Sequence, residues 1–437
     1  MNQSDHAFAA LQDEGAVPLA RPLRVGIIGM GGFAGIHHAT IHTLEQAGWC
    51  KLVCTCDPNP AAFVERMQGW DFPHRDVNVY DRYDAMLDAS IDKLDLVTIP
   101  TPVPLHAQMH RACVERGIAA YLEKPPTLDI AELQEMLAVE GSAIRKTNIG
   151  FNYIIEEPRQ TLKRRLMQGE FGRLRKVLLS GLWPRGRSYY RRANWAGRLL
   201  LDGKLVLDSC LGNALAHYVH NMLFWAGQKD LFDWSPVAQV RAELYRAHSI
   251  QGTDTLFVEA ETSSGVELRI ALTHACAGEN RHWERVECDD ASITYVTDKS
   301  YEIRHSNGKV ETQSVPSVSL RENLIAYLGY LSGEGLNRPI TQLADAQPFV
   351  ELNDLAYLAS GSITTVQDSD LDITQYRDGR EEYVTIRGID DACLSFLDGG
   401  LFPSQQRFAW AHVGGAATPS DLPHLCDVVN AMAKQVD

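Results

Sequence analysis

The stretch Val25-Gly26-Ile27-Ile28-Gly29-Met30-Gly31-Gly32-Phe33-Ala34-Gly35 decides the fold. Residues 25–28 are an apolar run of strand length, and residues 36–46 carry a helical pattern. A glycine-rich segment alone says little, but between a strand and a helix it is a phosphate-binding turn. Gly29 permits the tight turn, Gly31 leaves room for a pyrophosphate to approach the backbone, and Ala34 keeps the helix close to the strand. Gly32 and Phe33 complete the turn, beyond which the helix N-terminus points free N–H groups at the phosphates. The bland alternative is a glycine-rich turn that holds no ligand.

The pattern continues outward from that turn. Residues 52–56, 94–99 and 118–122 are further buried-strand candidates, and residues 105–116 are helical in composition and closed by Gly117. Strand and helix alternating at this spacing imply βαβ units on a parallel sheet, so residues 21–146 are expected to form a Rossmann domain. Asp57 stands at the end of the second strand. A carboxylate there accepts hydrogen bonds from ribose hydroxyls and repels a 2′-phosphate, which favours NAD over NADP. Asp57 also opens the Asp57-Pro58 turn in its own right.

After residue 146 the texture changes. Strand-like runs recur at 177–182, 237–245, 255–260, 266–273, 292–297 and 302–304, several alternating apolar with polar residues as in a sheet with one solvated face. Helical patterns fall at 158–167, 320–331 and 349–363. A second domain for substrate binding and oligomerisation is expected over 147–376. Residues 377–437 form a C-terminal extension with one strand candidate, 382–386, and no readable role. Residues 1–20 are expected to be a flexible lead-in.

Composition bounds the function. A formal net charge of −15 opposes a nucleic-acid partner, which needs a basic face. It leaves room for a small anionic cofactor held by backbone N–H groups. No stretch approaches the apolar length of a membrane helix, and residues 1–20 show no signal-peptide pattern. The nine Cys form neither a disulfide nor a zinc framework, and Cys50, Cys54 and Cys56 sit in a strand-like run as core residues. A cytoplasmic protein with reduced thiols is expected.

The strand at 118–122 ends in Glu123-Lys124-Pro125-Pro126. A residue before proline is pushed out of the helical region. Lys124 is therefore held extended beyond the C-terminal end of a parallel strand, the edge at which open α/β sheets bind ligands. There it can donate to a substrate hydroxyl and stabilise developing alkoxide charge. As an ordinary turn lysine it would only be solvated.

Taken in order, the glycine turn with His37 behind it, Ile99-Pro100-Thr101-Pro102 with Leu105-His106, Glu123-Lys124-Pro125, Gly150-Phe-Asn-Tyr153 and Gly169-Glu-Phe-Gly172 carry a specific likeness. Over residues 21–365 the sequence resembles the Gfo/Idh/MocA (glucose–fructose oxidoreductase / inositol dehydrogenase) family. The resemblance implies a Rossmann domain followed by an α/β domain with a large open, mainly antiparallel sheet. It implies NAD(P)-dependent hydride transfer at a hydroxyl-bearing carbon of a sugar, cyclitol or glycoside. Lys124 would lie between nicotinamide and substrate, with Pro100, Thr101, His106 and Glu123 near the cofactor. An exposed face of the large sheet would favour a homo-oligomer.

Residues 205–221 hold the candidate proton-transfer group. On a helix from Gly212 to Trp225, Asn213 and His217 are four apart and share a face. A histidine can take a hydroxyl proton near neutral pH. Members of the family commonly carry Asp and His at this spacing, and His217 matches that His. The chain departs from the pattern at Asn213, where an Asp is usual, and at His220, where the family commonly has a further Asp. Asn213 would orient His217 without stabilising an imidazolium, and Asp208 could stand in if the chain brings it round. Tyr153, Trp195, Asp208 and His220 are further candidates to line the substrate. A metal on Asn213, His217 and His220 would need a third strong ligand such as His274 or His282. No motif supplies one, and no metal is expected.

Two alternatives accompany the dehydrogenase. A redox-neutral, NAD-dependent glycosidase would use the same Lys and His through transient oxidation and elimination. A non-catalytic NAD-binding sensor would need neither.

Overall fold

The computed structural model describes residues 19–376 and 381–435, so most of the expected lead-in lies outside the described residues. The chain divides into two compact units. The first comprises the described part of Met1–Thr127, with Ala131–Ile155 and Val318–Ala346.

Its sheet has six strands: β1 (Leu23–Ile28), β2 (Cys50–Cys56), β3 (Asn78–Tyr80), β4 (Leu96–Ile99), β5 (Ala119–Leu122) and β6 (Asn148–Ile149). The order is β3-β2-β1-β4-β5-β6 and every pairing is parallel. The strand order reverses between β1 and β4, so the crevice outside their C-terminal ends is the ligand position of such a sheet. β4 and β5 are fully buried, as parallel strands covered on both faces must be. The helix Leu320–Ser332, distant in sequence, joins this unit. It opens on a capping box, Ser319 with Glu322, and buries Leu320, Leu324, Tyr327 and Leu328 among Leu23, Ile27, Leu44 and Tyr121. The Tyr327 hydroxyl donates to the Lys146 carbonyl at 2.9 Å.

The second unit comprises Leu128–Ile130, Glu156–Ser317 and the described part of Gln347–Asp437. Its strands are β7 (Leu174–Leu182), β8 (Leu200–Leu201), β9 (Lys204–Leu205), β10 (Val237–Arg246), β11 (Thr255–Thr262), β12 (Glu267–Thr273), β13 (Arg281–Cys288), β14 (Ala291–Val296), β15 (Ser300–His305), β16 (Val310–Ser314), β17 (Ile363–Thr365), β18 (Leu371–Tyr376), β19 (Glu381–Ile386) and β20 (Ala416–Ala417). The large sheet runs β16-β15-β14-β13-β7-β12-β11-β10-β17, with β20 on β10. Only β7–β12 and β10–β17 pair in parallel, so the sheet is mainly antiparallel. β8–β9 and β18–β19 are separate hairpins.

Two expectations change here. The helix read at 349–363 runs Gln347–Ser360 and stops at Gly361, whose φ of +64° ends it; Ile363 then begins a strand. The sheet is also less open than expected. Val384, Ile386, Ile389, Phe396, Phe402 and Trp410 of the C-terminal extension pack on Leu178, Tyr245, Phe257 and Ala271 of β7, β10, β11 and β12. The extension therefore supplies the second apolar layer over the middle of the sheet.

β13 carries a buried charge. Arg159, from the helix Glu157–Met167, donates to Glu284 at 2.6 and 3.2 Å and to Glu156 at 2.8 Å, and Asn221 and Trp225 also donate to Glu284. Among the described residues no helix is long and apolar enough to cross a membrane.

Candidate active site

In the first unit the turn after β1 has the backbone its sequence demands. Gly29 has φ +108°, its N–H donates to the Cys56 carbonyl at 2.7 Å, and a Cβ there would lie 3.5 Å from Ala34. The helix Ala34–Gln46 follows at once. Met30 N–H donates to Asp57 at 3.1 Å, and the other Asp57 oxygen accepts from Asn59 N–H at 3.0 Å. Asp57 thus both opens its own turn and pins the glycine turn. The N–H groups of Gly31, Gly32 and Phe33 have no hydrogen-bond partner among the described residues, and Phe33 is 44% exposed. Three unused donors before a helix N-terminus, beside a carboxylate at the end of β2, fit a pyrophosphate and its ribose. Sequence reasoning missed Arg66, which donates to the Met30 carbonyl at 3.0 Å and lies over Phe63.

The turn after β5 is braced from two sides. Glu123 is buried and accepts from His37 of the glycine-turn helix at 3.0 Å and from Lys124 N–H at 3.3 Å. A Cβ on Gly150 would come within 3.0 Å of that carboxylate, so glycine makes room for it. His106 is buried, with Nδ1 2.9 Å from the Pro125 carbonyl and Nε2 2.8 Å from the Thr101 carbonyl. Burial pulls its pKa down against two acceptors that favour the charged ring. His106 thereby ties the Pro100-Thr101 turn after β4 to the Lys124-Pro125 turn after β5, whose peptide bond is cis. Tyr153 follows in a half-buried 3₁₀ turn, Asn152–Ile155.

In the second unit the expected helix from Gly212 is broken. A π-turn, Cys210–Ala214, gives way at Leu215 to the α-helix Ala216–Ala226. Asn213 and His217 therefore do not hold the spacing of one regular helix, and π-turns recur at functional sites. Asn213 donates its Nδ2 to Asp208 at 2.8 Å. A carboxylate only accepts, so the Asn213 amide is oriented with Oδ1 as its remaining acceptor. Asp208 also accepts from Gly197 N–H at 2.7 Å and Arg192 at 3.4 Å. It is buried, and burial raises its pKa. Asp208 is a brace for Asn213 rather than an open substrate ligand. His217 is half-buried. His220 is fully buried with its ring 5.0 Å from that of Trp234, which withdraws it from substrate lining. Among the described residues no group of three His, Cys, Asp or Glu is placed to hold a metal.

A line of rings leads away from this helix. Tyr218 lies 4.3 Å from His282 and 5.7 Å from Trp183 between ring centroids. Arg185 covers Trp183 and Tyr189, and Arg192 covers Tyr189 and Trp195. His248 is buried, with Nδ1 2.8 Å from the Asp254 carboxylate. His274 Nδ1–H donates to the Trp183 carbonyl at 2.8 Å, and its buried Nε2 has no partner among the described residues; burial pushes its pKa down to about 3, so the ring is neutral.

A six-stranded parallel sheet, a glycine turn with three unused N–H donors and a carboxylate closing β2 define a Rossmann dinucleotide-binding protein. Residues 23–151 match the GFO_IDH_MocA model, described as an oxidoreductase family with an NAD-binding Rossmann fold. Inositol 2-dehydrogenase 4 of Saccharopolyspora erythraea is 29% identical over 160 residues, 35% of this chain and 43% of that protein. A glycosyl hydrolase family 109 protein of Shewanella amazonensis is 29% identical over 164 residues, 36% of this chain and 35% of that protein. The chain thus spans less than half the length of these curated relatives. The WlbA dehydrogenase of Bordetella pertussis, crystallised with NADH and UDP-GlcNAcA, matches with a TM-score of 0.60 over 76% of this chain and 94% of that one. At 20% identity the likeness concerns the fold.

Proposed function

We propose that the chain is an NAD-dependent oxidoreductase acting on a hydroxyl-bearing carbon of a sugar, cyclitol or glycoside. The observation that carries this is the bracing of the Lys124 turn by His37, Glu123 and His106, in the same crevice as the glycine turn. NAD, when bound, is the acceptor of the hydride, and the Gly31, Gly32 and Phe33 N–H groups with Asp57 would hold it. Lys124 donates to the substrate hydroxyl oxygen and favours its alkoxide character. His217 receives the hydroxyl proton, and Asn213, fixed by Asp208, orients it. The preference for NAD over NADP rests on Asp57.

The test is a spectrophotometric screen of NAD against sugars, cyclitols and glycosides. NADH should form with at least one, and Lys124→Met and His217→Ala should each lower kcat by about 10²–10⁴-fold. Turnover unchanged in both variants would overturn the roles. The kinship with a glycosyl hydrolase family 109 protein favours keeping a second reading, redox-neutral glycoside cleavage. Aglycone release without net NADH would decide for it. The nine unpaired thiols suit a reducing cytoplasm. Self-association would use β14–β16, the part of the large sheet that contributes nothing to the core cluster of the extension.

A further inference from the structure

The second unit holds a cleft of about 770 Å³ that the candidate site does not use. Pro184 and Arg185 after β7 form one wall, residues 277–280 after β12 form another, and Thr374, Tyr383 and Thr385 of the β18–β19 hairpin form the third. The register explains the third wall. Thr374 pairs with Tyr383, and Thr385 is two residues on, so all three share one face of the hairpin. Val384 and Ile386 occupy the opposite face and are buried in the core over the sheet. The hairpin is clasped to residues 186–188, which follow Arg185. Gly186 bridges Tyr383, Ser188 N–H and Oγ donate to Glu381, and Arg187 pairs with Glu382 at 2.6 Å. A Cβ on Gly186 would collide with Glu381.

The lining is a set of hydroxyls, one phenol ring, the Asn280 amide and one guanidinium offset by Glu279. Among the described residues this wall carries no net charge, and its alternation of ring face and hydrogen-bonding tips suits a neutral polyhydroxylated ring. Arg185 donates Nη1 to Asn280 at 3.2 Å and to the Pro184 carbonyl at 3.0 Å, and among the described residues Nε and Nη2 are left for a ligand. The volume is that of a small-molecule site. The cleft is also connected to the candidate catalytic helix through side chains of one unit. Arg185 and Arg192 both lie over Tyr189, Arg192 reaches Asp208, and Asp208 holds Asn213.

We propose that the C-terminal hairpin completes a second sugar subsite, so that the substrate is a glycoside with at least two rings rather than a free monosaccharide. This rests on the sugar-oxidation reading, and it makes the extension a specificity element as well as a layer of core. The experiment compares methyl glucoside with maltose, cellobiose and lactose on the full chain, by saturation-transfer NMR and by NADH formation. At least one disaccharide should bind about tenfold more tightly than methyl glucoside, and Tyr383→Ala should abolish that ratio. Thr374→Val, at an exposed position, should lower the ratio severalfold and guards against a folding defect in the first variant; melting temperatures report on both. If none of the disaccharides outbinds methyl glucoside, or if the variants weaken one-ring and two-ring ligands alike, the subsite is wrong. Disaccharide binding that depends on Tyr383, without NADH from any sugar, would leave the subsite standing and remove the oxidation reading instead.

Discussion

Asp208→Asn is the sharpest perturbation of the second unit. The carboxylate accepts from Gly197 N–H at 2.7 Å and from Asn213 Nδ2 at 2.8 Å, with Arg192 at 3.4 Å, while only 4% exposed. An amide at 208 can accept one of the two short bonds, and its nitrogen then faces the other donor. The variant loses a hydrogen bond to a charged acceptor and confronts two buried donors, offset in part by removing a charge that burial disfavours. A net loss of about 2–3 kcal/mol follows, read by urea unfolding. Asn213 must also turn over, presenting nitrogen where it presented oxygen, and turnover should fall by about 10²-fold through misorientation of His217. The reciprocal exchange, Asp208→Asn with Asn213→Asp, restores a donor facing an acceptor. It should recover stability to within about 1 kcal/mol, a coupling that the two single variants cannot show. It also places a carboxylate where the family commonly has one, so the pH profile of kcat should shift upward for the base. A single Asp208→Asn variant as stable as wild type, or a double variant no better than the sum of the singles, would refute the pairing.

Other outcomes follow from the same structure. Burial pushes the Glu156 carboxyl up to about 7, so the folded state binds its proton more tightly than the unfolded chain does. That contribution is present below the unfolded pKa of about 4.5 and is lost as pH rises through 7, at up to about 1.4 kcal/mol per pH unit. Glu156→Gln should flatten the fall in stability across this window, measured by urea titrations. Phe396→Ala, in the core between extension and sheet, should cost about 3–5 kcal/mol and lower the melting temperature. Gly150→Ala should push Glu123 away from His37 and lower kcat more than stability, measured by steady-state kinetics against thermal melting.

What was legible in the sequence was local. The glycine turn and the Lys124 edge depend on short-range rules for glycine φ, proline and strand–helix alternation, and their surroundings follow the expected pattern. The Asp208–Asn213 contact was half-legible, because the residues are close in sequence but the π-turn that turns one toward the other has no simple pattern. The bond from His37 to Glu123 joins residues 86 apart, and only the resemblance singled out His37. β13 escaped notice because one of its two buried residues is the charged Glu284, which hides the apolar alternation; the partners of that carboxylate come from two helices. The allocation of Leu320–Ser332 to the first unit is likewise a packing fact, written in which face meets Tyr121 rather than in any local signal. The extension also holds two helices, Ile389–Gly399 and Leu425–Ala433; the buried Ile389, Ala392, Cys393, Phe396 and Leu397 fall at helical spacing, a signal the strand at 382–386 and the glycines around it obscured.

The central claim is that the glycine turn holds a nicotinamide dinucleotide. Titration of the purified chain with NADH, followed by energy transfer from its tryptophans to the dihydronicotinamide, tests it most directly. Saturable binding is predicted, stronger for NADH than for NADPH because of Asp57, and weakened at least about tenfold by Gly29→Val, which cannot adopt a φ of +108° without strain. Absence of saturable binding of either nucleotide to the wild-type chain would contradict the account.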